Sequence, residues 1–224
     1  MQKFLLGALL TASVSILSAG VIFTPEAAGV TQTSVANTTT VNFNSLPTGA
    51  FSGVTSIGTY SSGGSIVAPG DQFSGDASNY LSVGAQSGHT GYTLTFSGPQ
   101  TFFGLLWDAM DAQNSLTFYN GATQLATFNA SNFSSLSSLY KGNPSGTFHG
   151  QDSGENFVYL DFFGTSGTTF TSVVFSNHGT GTGFESDNQS IRASTVPEPS
   201  TYGMLFAGLS ALGIAARRRS ARKL

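Results

Sequence analysis

Carboxylate side chains that could do chemistry are gathered at three places in this 224-residue sequence. Asp108 and Asp111 follow an apolar run and are separated by two residues. Paired carboxylates can serve general acid–base chemistry or bind a cation, but aspartates that follow a strand commonly end it and accept backbone hydrogen bonds. We favour the structural interpretation for this pair and expect no catalytic residue in the chain.

The segment 185–188, Glu-Ser-Asp-Asn, is the better candidate for a metal site. It supplies two carboxylates and an amide oxygen within four residues, and Ca²⁺ takes hard oxygen ligands of this kind. The spacing is not that of an EF-hand loop, so more ligands are needed, and a glycine-rich loop with Asp71 and Asp76 can contribute them. A polar strand edge that discourages pairing with other chains is the alternative. Calcium, if it binds, is expected at Glu185, Asp187 and Asn188; no other cofactor is expected.

Several other chemistries are excluded or disfavoured by residue type. The absence of cysteine excludes thiolate nucleophiles, zinc ribbons and redox motifs. His89, His149 and His178 lie far apart in the sequence without metal-binding spacing, so we expect them in surface loops. No serine occupies a Gly-x-Ser-x-Gly elbow. Trp107, the only tryptophan, could stack on a sugar, but a tryptophan that ends a core strand is expected to pack inside.

The charge distribution argues against nucleic acid as a partner. Between residues 29 and 195 there are nine acidic residues but only two basic ones, Lys141 and Arg192, which gives a net charge of −7. Nucleic-acid-binding domains need a basic surface to neutralise phosphates. The remaining basic residues are concentrated at the two ends of the chain.

The elements that must position these residues are short strands. The run 101–107 is almost entirely apolar, which predicts a central strand covered on both faces. The dipeptide Asn120-Gly121 lies between two alternating runs, which predicts a hairpin with a type I′ turn. The strand predicted at 91–96 is expected to end at Gly98-Pro99. Residues 129–140 are expected to form a loop with one helical turn. Other strands are predicted at 39–44, 51–60, 79–83, 91–96, 156–163 and 169–175, and the last strand is predicted to end at Ile191. Nine or ten strands without a long amphipathic helix predict an all-β fold, an antiparallel β-sandwich or jelly roll.

The N-terminus has the pattern of a secretory signal peptide. Lys3 precedes an apolar run from Phe4 to Leu17, and the small residues Ser18-Ala19-Gly20 follow. Signal peptidase is therefore an expected partner. A second possible cleavage site is Ala27-Ala28, so residues 1–28 are assigned to the signal peptide and the start of a linker.

The C-terminus has the pattern of a membrane-anchored tail. An uncharged segment from Tyr202 to Ala216 is followed by the basic residues Arg217, Arg218 and Arg219, which are expected to stay on the cytoplasmic side. Fifteen residues span only about 22 Å as a helix, which is short of a hydrocarbon core of about 30 Å. A transmembrane helix of this length would be a marginal anchor. The preceding sequence is Val196, Pro197, Glu198, Pro199, Ser200 and Thr201.

This tail closely resembles the PEP-CTERM sorting signal of bacterial surface proteins. The resemblance rests on Pro197-Glu198-Pro199, the uncharged segment and the arginine cluster, in that order. It implies export, transient membrane anchoring and cleavage by an exosortase, an integral membrane enzyme. The segments 103–108 and 114–121 and Asp187-Asn188 also resemble the core of exosortase-dependent surface proteins, for which no enzymatic activity is implied.

Three segments and two functions follow from these patterns. Residues 29–195 are predicted to form the β-domain, and residues 196–224 the sorting signal. The chain is expected to be a non-catalytic protein of the cell surface or extracellular matrix, first anchored by its C-terminal helix and then released into the envelope. The alternative is a carbohydrate-binding module that holds extracellular polysaccharide, with or without calcium.

Overall fold

The computed structural model describes residues 20–192, which form an all-β fold of antiparallel strands with no α-helix in that range. The segment 129–140, where the sequence predicts one helical turn, contains two short 3₁₀ helices, Ala130–Phe133 and Ser138–Tyr140, and a third, Gly146–Phe148, lies beyond it. The strands are β1 Val21–Pro25, β2 Thr38–Val41, β3 Gly49–Val54, β4 Gly58–Ala68, β5 Tyr80–Gly84, β6 Gly91–Gln100, β7 Phe102–Met110, β8 Asn114–Asn120, β9 Thr123–Asn129, β10 Asn156–Gly164, β11 Phe170–Asn177 and β12 Gly183–Arg192.

All twelve strands belong to one sheet, which is rolled until it nearly closes. The strand order is β1-β10-β7-β12-β5-β4-β6-β11-β8-β9, with β2 added beside β12 and β3 beside β4. Strand β4 joins the two halves of the sheet, because its first residues pair with β6 and its last residues pair with β5. The sequence predicts an all-β fold, which is confirmed; where a β-sandwich or jelly roll is predicted, the structure has one continuous, nearly closed antiparallel sheet.

Aromatic side chains fill the interior that the rolled sheet encloses. Phe118 of β8 contacts Phe103 of β7 and Phe162 of β10, with ring centroids 6.1 and 5.0 Å apart. Phe23 of β1 lies 5.6 Å from Phe128 of β9, so the two edge strands of the sheet meet across the core. Burial of rings of this size is a large hydrophobic contribution, and it replaces the disulfides that this cysteine-free chain cannot form.

Strand β7 is central, as the sequence predicts, and β12 is its neighbour. All nine residues of β7 are buried, and β10 and β12 pair with it on either side. Strand β12 is also paired on both sides, with β7 on one side and with β5 and β2 on the other. The alternative interpretation of its polar residues as a strand edge is therefore wrong: residues 183–191 are buried in the middle of the sheet.

The β-domain begins earlier than residue 29. Strand β1 pairs with β10 from Val21↔Gly164 to Pro25↔Leu160, and Val21 and Phe23 are buried in the core. These residues fall within the segment 1–28 that the sequence assigns to the signal peptide and the start of the linker. A short alternating strand next to an apolar run has no hydrophobic boundary of its own, so the sequence gives no separate signal for β1.

Three local features also differ from the sequence prediction. The predicted strand 51–60 is a hairpin of β3 and β4. Strand β6 continues through Gly98-Pro99, where its register with β11 shifts, because a bulge tolerates a proline that cannot donate a hydrogen bond. Asn120 pairs with Thr123, so the central residues of the β8–β9 turn are Gly121 and Ala122; only Gly121 has a positive φ, which is the type II′ pattern and not type I′.

We predict that Phe23→Ala lowers the free energy of unfolding by about 3–5 kcal/mol, because its ring contacts Phe128, Phe133 and Phe162 in the core. Urea unfolding of the full chain in detergent measures this loss. Val54→Ala, at a site that is 81% exposed, is the control and should change the stability by less than about 0.5 kcal/mol. Equal stability of the two variants would show that β1 does not close the core.

Candidate functional site

The residues predicted to bind calcium lie on β12, where two bulges disturb the sheet. Glu185 pairs with Asp108 of β7, so these two side chains leave the sheet on the same face. The register shifts after Asp187, where Asn188 has a φ of 48°, and Ala109 of β7 has a φ of 35°. Bulges of this kind redirect side chains and occur frequently beside functional sites. Here they place carboxylates from both strands on one outer face.

A loop between β4 and β5, residues 69–79, covers this outer face; we call it the covering loop. A side chain at Gly75 would overlap Asp108 Oδ1, so glycine allows the loop backbone to reach the sheet. Asn143 Nδ2 donates to the carbonyl oxygens of Gln72 and Ser74 at 2.9 and 2.7 Å, and Ser145 Oγ donates to that of Gly75 at 3.0 Å. The loop that precedes β10 thereby holds the covering loop in place.

Three carboxylates meet under the covering loop, and we call them the acidic triad: Asp76, Asp108 and Asp187. Ser78 Oγ lies within hydrogen-bond distance of Asp76 Oδ1 and 3.1 Å from Asp187 Oδ2. Asn188 Nδ2 donates to Asp76 Oδ2 at 3.0 Å. The Asp76 and Asp187 carboxyl groups are also within hydrogen-bonding reach of each other. The triad joins the covering loop, β7 and β12.

Asp108 is the most isolated member of the triad. Its side chain is 0% exposed; Oδ1 accepts a hydrogen bond from Gly75 N at 2.9 Å, whereas Oδ2 has no partner. Burial raises the pKa of Asp108 well above its usual range, and the charges of Asp187 and Asp76 raise it further. Burial likewise raises the pKa of Asp187 to about 9, and Asp76 adds to that rise. A buried carboxylate beside like charges is unfavourable unless a proton or a cation neutralises it.

The predicted calcium residues do not form one site. Glu185 is buried near Asp111 and Glu155; burial raises its pKa, and the charges of Asp111 and Glu155 raise it further. Asn188 contributes its amide nitrogen to Asp76 and to Thr31 O, so its side chain donates here. Only Asp187 of the three belongs to the triad. Asp76 lies beside Asp187, whereas Asp71 accepts hydrogen bonds from Phe73 N and the Tyr80 hydroxyl.

Sequence reasoning missed Asp108 as a partner of Asp187. The available signal was its position directly after the apolar run 101–107, because a carboxylate that continues a strand covered on both faces becomes buried. As the side chains stand in residues 20–192, no three carboxylates or imidazoles form a ready-made metal site.

The other candidate residues give no catalytic arrangement in the described range. Trp107 is fully buried and stacks on Phe184 at 4.3 Å, so it packs in the core as expected. The three histidines are exposed and lie in separate loops. A cleft of about 360 Å³ is lined by Tyr140, Lys141 and His149 among others, but Lys141 Nζ donates to Gly154 O and no carboxylate lines the cleft.

A further carboxyl pair, Asp161 of β10 and Glu26, lies outside the triad. Asp161 pairs with Thr24 of β1 and is 4% exposed, and its carboxyl group hydrogen-bonds with that of Glu26. Burial raises the pKa of Asp161 to about 7, and Glu26 contributes to the rise. The pair therefore shares a proton at acidic pH, and it lies where β1 joins the sheet.

Comparison with known proteins identifies the tail of the chain. The family model of the PEP-CTERM protein-sorting motif matches residues 195–219. The chain carries a PEP-CTERM sorting motif. No curated protein and no solved structure matches the chain, so the comparisons give no function for the β-domain.

The PEP-CTERM motif implies export, processing by an exosortase and a C-terminal sorting region that associates with the membrane. The match includes the predicted sorting residues 196–201 and the arginines 217–219, all of which lie outside residues 20–192. The predicted signal peptide helix and membrane helix also lie outside that range. Within it, no helix is long and apolar enough to cross a bilayer.

We predict that Asp161→Asn flattens the pH dependence of stability between about pH 4 and pH 7. The folded pKa of about 7 exceeds the unfolded value of about 3.9, so wild-type stability is full at low pH and declines as the pH rises through this window. The decline should be smaller in the variant by more than about 1.4 kcal/mol, the equivalent of one pKa unit.

Urea unfolding at a series of pH values measures this difference. The internal control is the comparison at pH 4, where the carboxyl group of the folded wild type is neutral like the amide that replaces it. Identical pH profiles of the two proteins would contradict the shared-proton account of Asp161 and Glu26.

Proposed function

We propose that the chain is an exported, non-catalytic protein of the cell surface or extracellular matrix, whose β-domain an exosortase releases from a membrane-bound tail. The observation that carries this proposal is the PEP-CTERM motif at residues 195–219. Its signature tripeptide, Pro197-Glu198-Pro199, is followed by an uncharged segment and then by arginines. Such a segment can hold the chain in the membrane until the enzyme acts.

The junction between the β-domain and the motif supports cleavage without loss of the fold. Strand β12 ends at Arg192, and the motif begins three positions later, at residue 195. Cleavage within residues 196–201 therefore removes no residue of β12. Because β12 is paired on both sides, it can remain in the sheet after the tail has gone.

The N-terminal strand favours one of the two possible signal peptidase sites. Cleavage near Ser18-Ala19-Gly20 leaves β1 in the mature protein, whereas cleavage at Ala27-Ala28 would remove it. Loss of β1 would uncover the edge of β10 and take Val21 and Phe23 out of the core. An uncovered strand edge invites pairing with other chains. We therefore place the cleavage before Val21.

Carbohydrate binding, the alternative that the sequence leaves open, has weaker support. Sugar-binding sites commonly present aromatic rings at the surface. In residues 20–192 every aromatic side chain is buried or half-buried, and the exposed large apolar residues are Val30, Val54 and Leu139. A glycan array with the mature protein, with and without a chelator, tests the alternative directly; a specific polysaccharide signal would favour it over a purely structural role.

We predict that the mature protein isolated from the cell envelope begins at or before Val21. Intact-mass measurement and N-terminal sequencing of that material give the position. A mature N-terminus at residue 28 or 29, in a protein that is folded, would show that β1 is dispensable and that the later site is used.

We predict that Pro197→Ala combined with Glu198→Ala leaves the exported precursor uncleaved. The substitution removes the signature that the exosortase reads but leaves the uncharged segment and the arginines unchanged. The uncleaved chain should therefore accumulate in the membrane fraction, about 2–3 kDa larger than the mature protein, because the 224-residue chain has a mass of 23.2 kDa. An immunoblot of fractionated cells measures both properties.

The matched control is Pro69→Ala combined with Glu155→Ala, which makes the same change of composition within the β-domain. The control should be cleaved as the wild type is. Normal cleavage of the Pro197/Glu198 variant would refute the sorting role of the motif.

A further inference from the structure

The acidic triad has a charge that nothing in its surroundings balances. Asp108 and Asp187 are each 0% exposed, and Asp76 is half-buried on the covering loop. The hydrogen-bond donors around them, Gly75 N, Ser78 Oγ and Asn188 Nδ2, are all neutral. Hydrogen bonds from neutral groups orient the oxygens but do not supply the proton or cation that these buried carboxylates require.

The basic side chains of the described range are engaged elsewhere. Residues 20–192 contain only two, Lys141 and Arg192. Lys141 Nζ donates to Gly154 O, and the Arg192 guanidinium lies over the Phe102 ring at 5.7 Å. Neither of them is placed to neutralise Asp108 or Asp187.

One oxygen of the triad points to a missing ligand independently of the clustering. Each oxygen of Asp76 and Asp187 has a hydrogen-bond donor nearby, but Asp108 Oδ2 has none and is fully buried. Buried polar atoms in folded proteins nearly always have a partner, so an orphaned carboxylate oxygen in a group of carboxylates calls for an ion. A proton alone would leave the hydroxyl donor unsatisfied as well.

We propose that Asp76, Asp108 and Asp187 bind a calcium ion that fastens the covering loop to β7 and β12. Three carboxylates supply hard oxygen ligands and a charge that a divalent cation balances closely. Ser78 Oγ, which already lies between Asp76 and Asp187, is a further oxygen at the same place. Calcium accepts six to eight oxygens in flexible geometry, so waters can complete the shell.

The covering loop explains how the site assembles although no ready-made shell is present. Asp76 is the half-buried member and lies on the loop, so its carboxylate can turn toward Asp108 Oδ2 when the ion enters. Magnesium requires near-octahedral geometry and gives up its water reluctantly, which suits this buried site less well. An exported protein also meets calcium at concentrations at which extracellular sites of modest affinity are filled.

The test is thermal unfolding of the full chain in detergent, first treated with EDTA and then dialysed against CaCl₂ or MgCl₂. Calcium at a hundred times its dissociation constant should raise the midpoint of unfolding by roughly 5–10 °C. Magnesium should give a much smaller shift. A second measurement that does not depend on stability is terbium luminescence excited through Trp107, the neighbour of Asp108 in the sequence.

Asp108→Asn and Asp76→Asn should each abolish most of the calcium shift and of the terbium signal. If the Asp108 variant fails to fold, the Asp76 variant still provides the test, because Asp76 is only half-buried and its substitution should disturb the fold less. Asp161→Asn, the same change at a buried carboxylate outside the triad, is the matched control and should keep both responses. No calcium shift in the wild type, an equal shift with magnesium, or full responses in both triad variants would overturn the proposal.

Discussion

The burial of a polar strand in the middle of the sheet is the constraint on which the rest of this structure depends. Strand β12 carries Glu185, Asp187 and Gln189 between β7 on one side and β5 and β2 on the other. Each of these side chains needs a partner, because an unpaired buried polar group costs more than its hydrogen bond would return. On the inner side the need is met: Gln189 accepts from the Tyr60 hydroxyl at 2.7 Å and donates to the Tyr92 hydroxyl at 3.2 Å. On the outer side, Asp108 Oδ2 of the acidic triad has no hydrogen-bond partner.

Strand β12 also lies directly before the sorting motif in the sequence. Strand β12 is both central and the last strand within residues 20–192, so none of the described strands lies within the PEP-CTERM motif. At the other end, β1 closes the edge of β10 and brings Phe23 to Phe128. The two processing events proposed for the chain therefore fall just outside the sheet on both sides. A domain of this kind can be trimmed at both ends while its core stays intact.

Much of the fold was predictable because its signals are local. The alternating and apolar runs predicted β7, the β8–β9 hairpin, β10 and β11, since strand periodicity needs no knowledge of the partner strand. Strand β1 is not predictable, because Val21 and Phe23 lie only a few residues after the apolar run 4–17 that predicts a signal peptide. Whether the strand continues through Gly98-Pro99 depends on the register between β6 and β11, and that register involves residues from another part of the chain.

The candidate site was predictable only in part, for the same reason. The local cluster of oxygens at 185–188 identifies Asp187 as a candidate ligand. In the structure, however, Glu185 lies near Asp111, and the Asn188 side chain acts as a hydrogen-bond donor. The arrival of Asp76 depends on the covering loop, and the role of Asp108 depends on its burial next to β12. Contacts among residues separated by 32 or more positions arise from tertiary packing, which no local pattern contains.

The most direct test of calcium binding is a crystal structure of the mature protein, from crystals grown in the presence of calcium. We expect an anomalous density peak for a calcium ion at about 2.3–2.6 Å from Asp108 Oδ2, with the carboxylates of Asp76 and Asp187 as further ligands. Asp108 Oδ2 paired instead with a protein donor or an ordered water, with no ion among the three carboxylates, would contradict it.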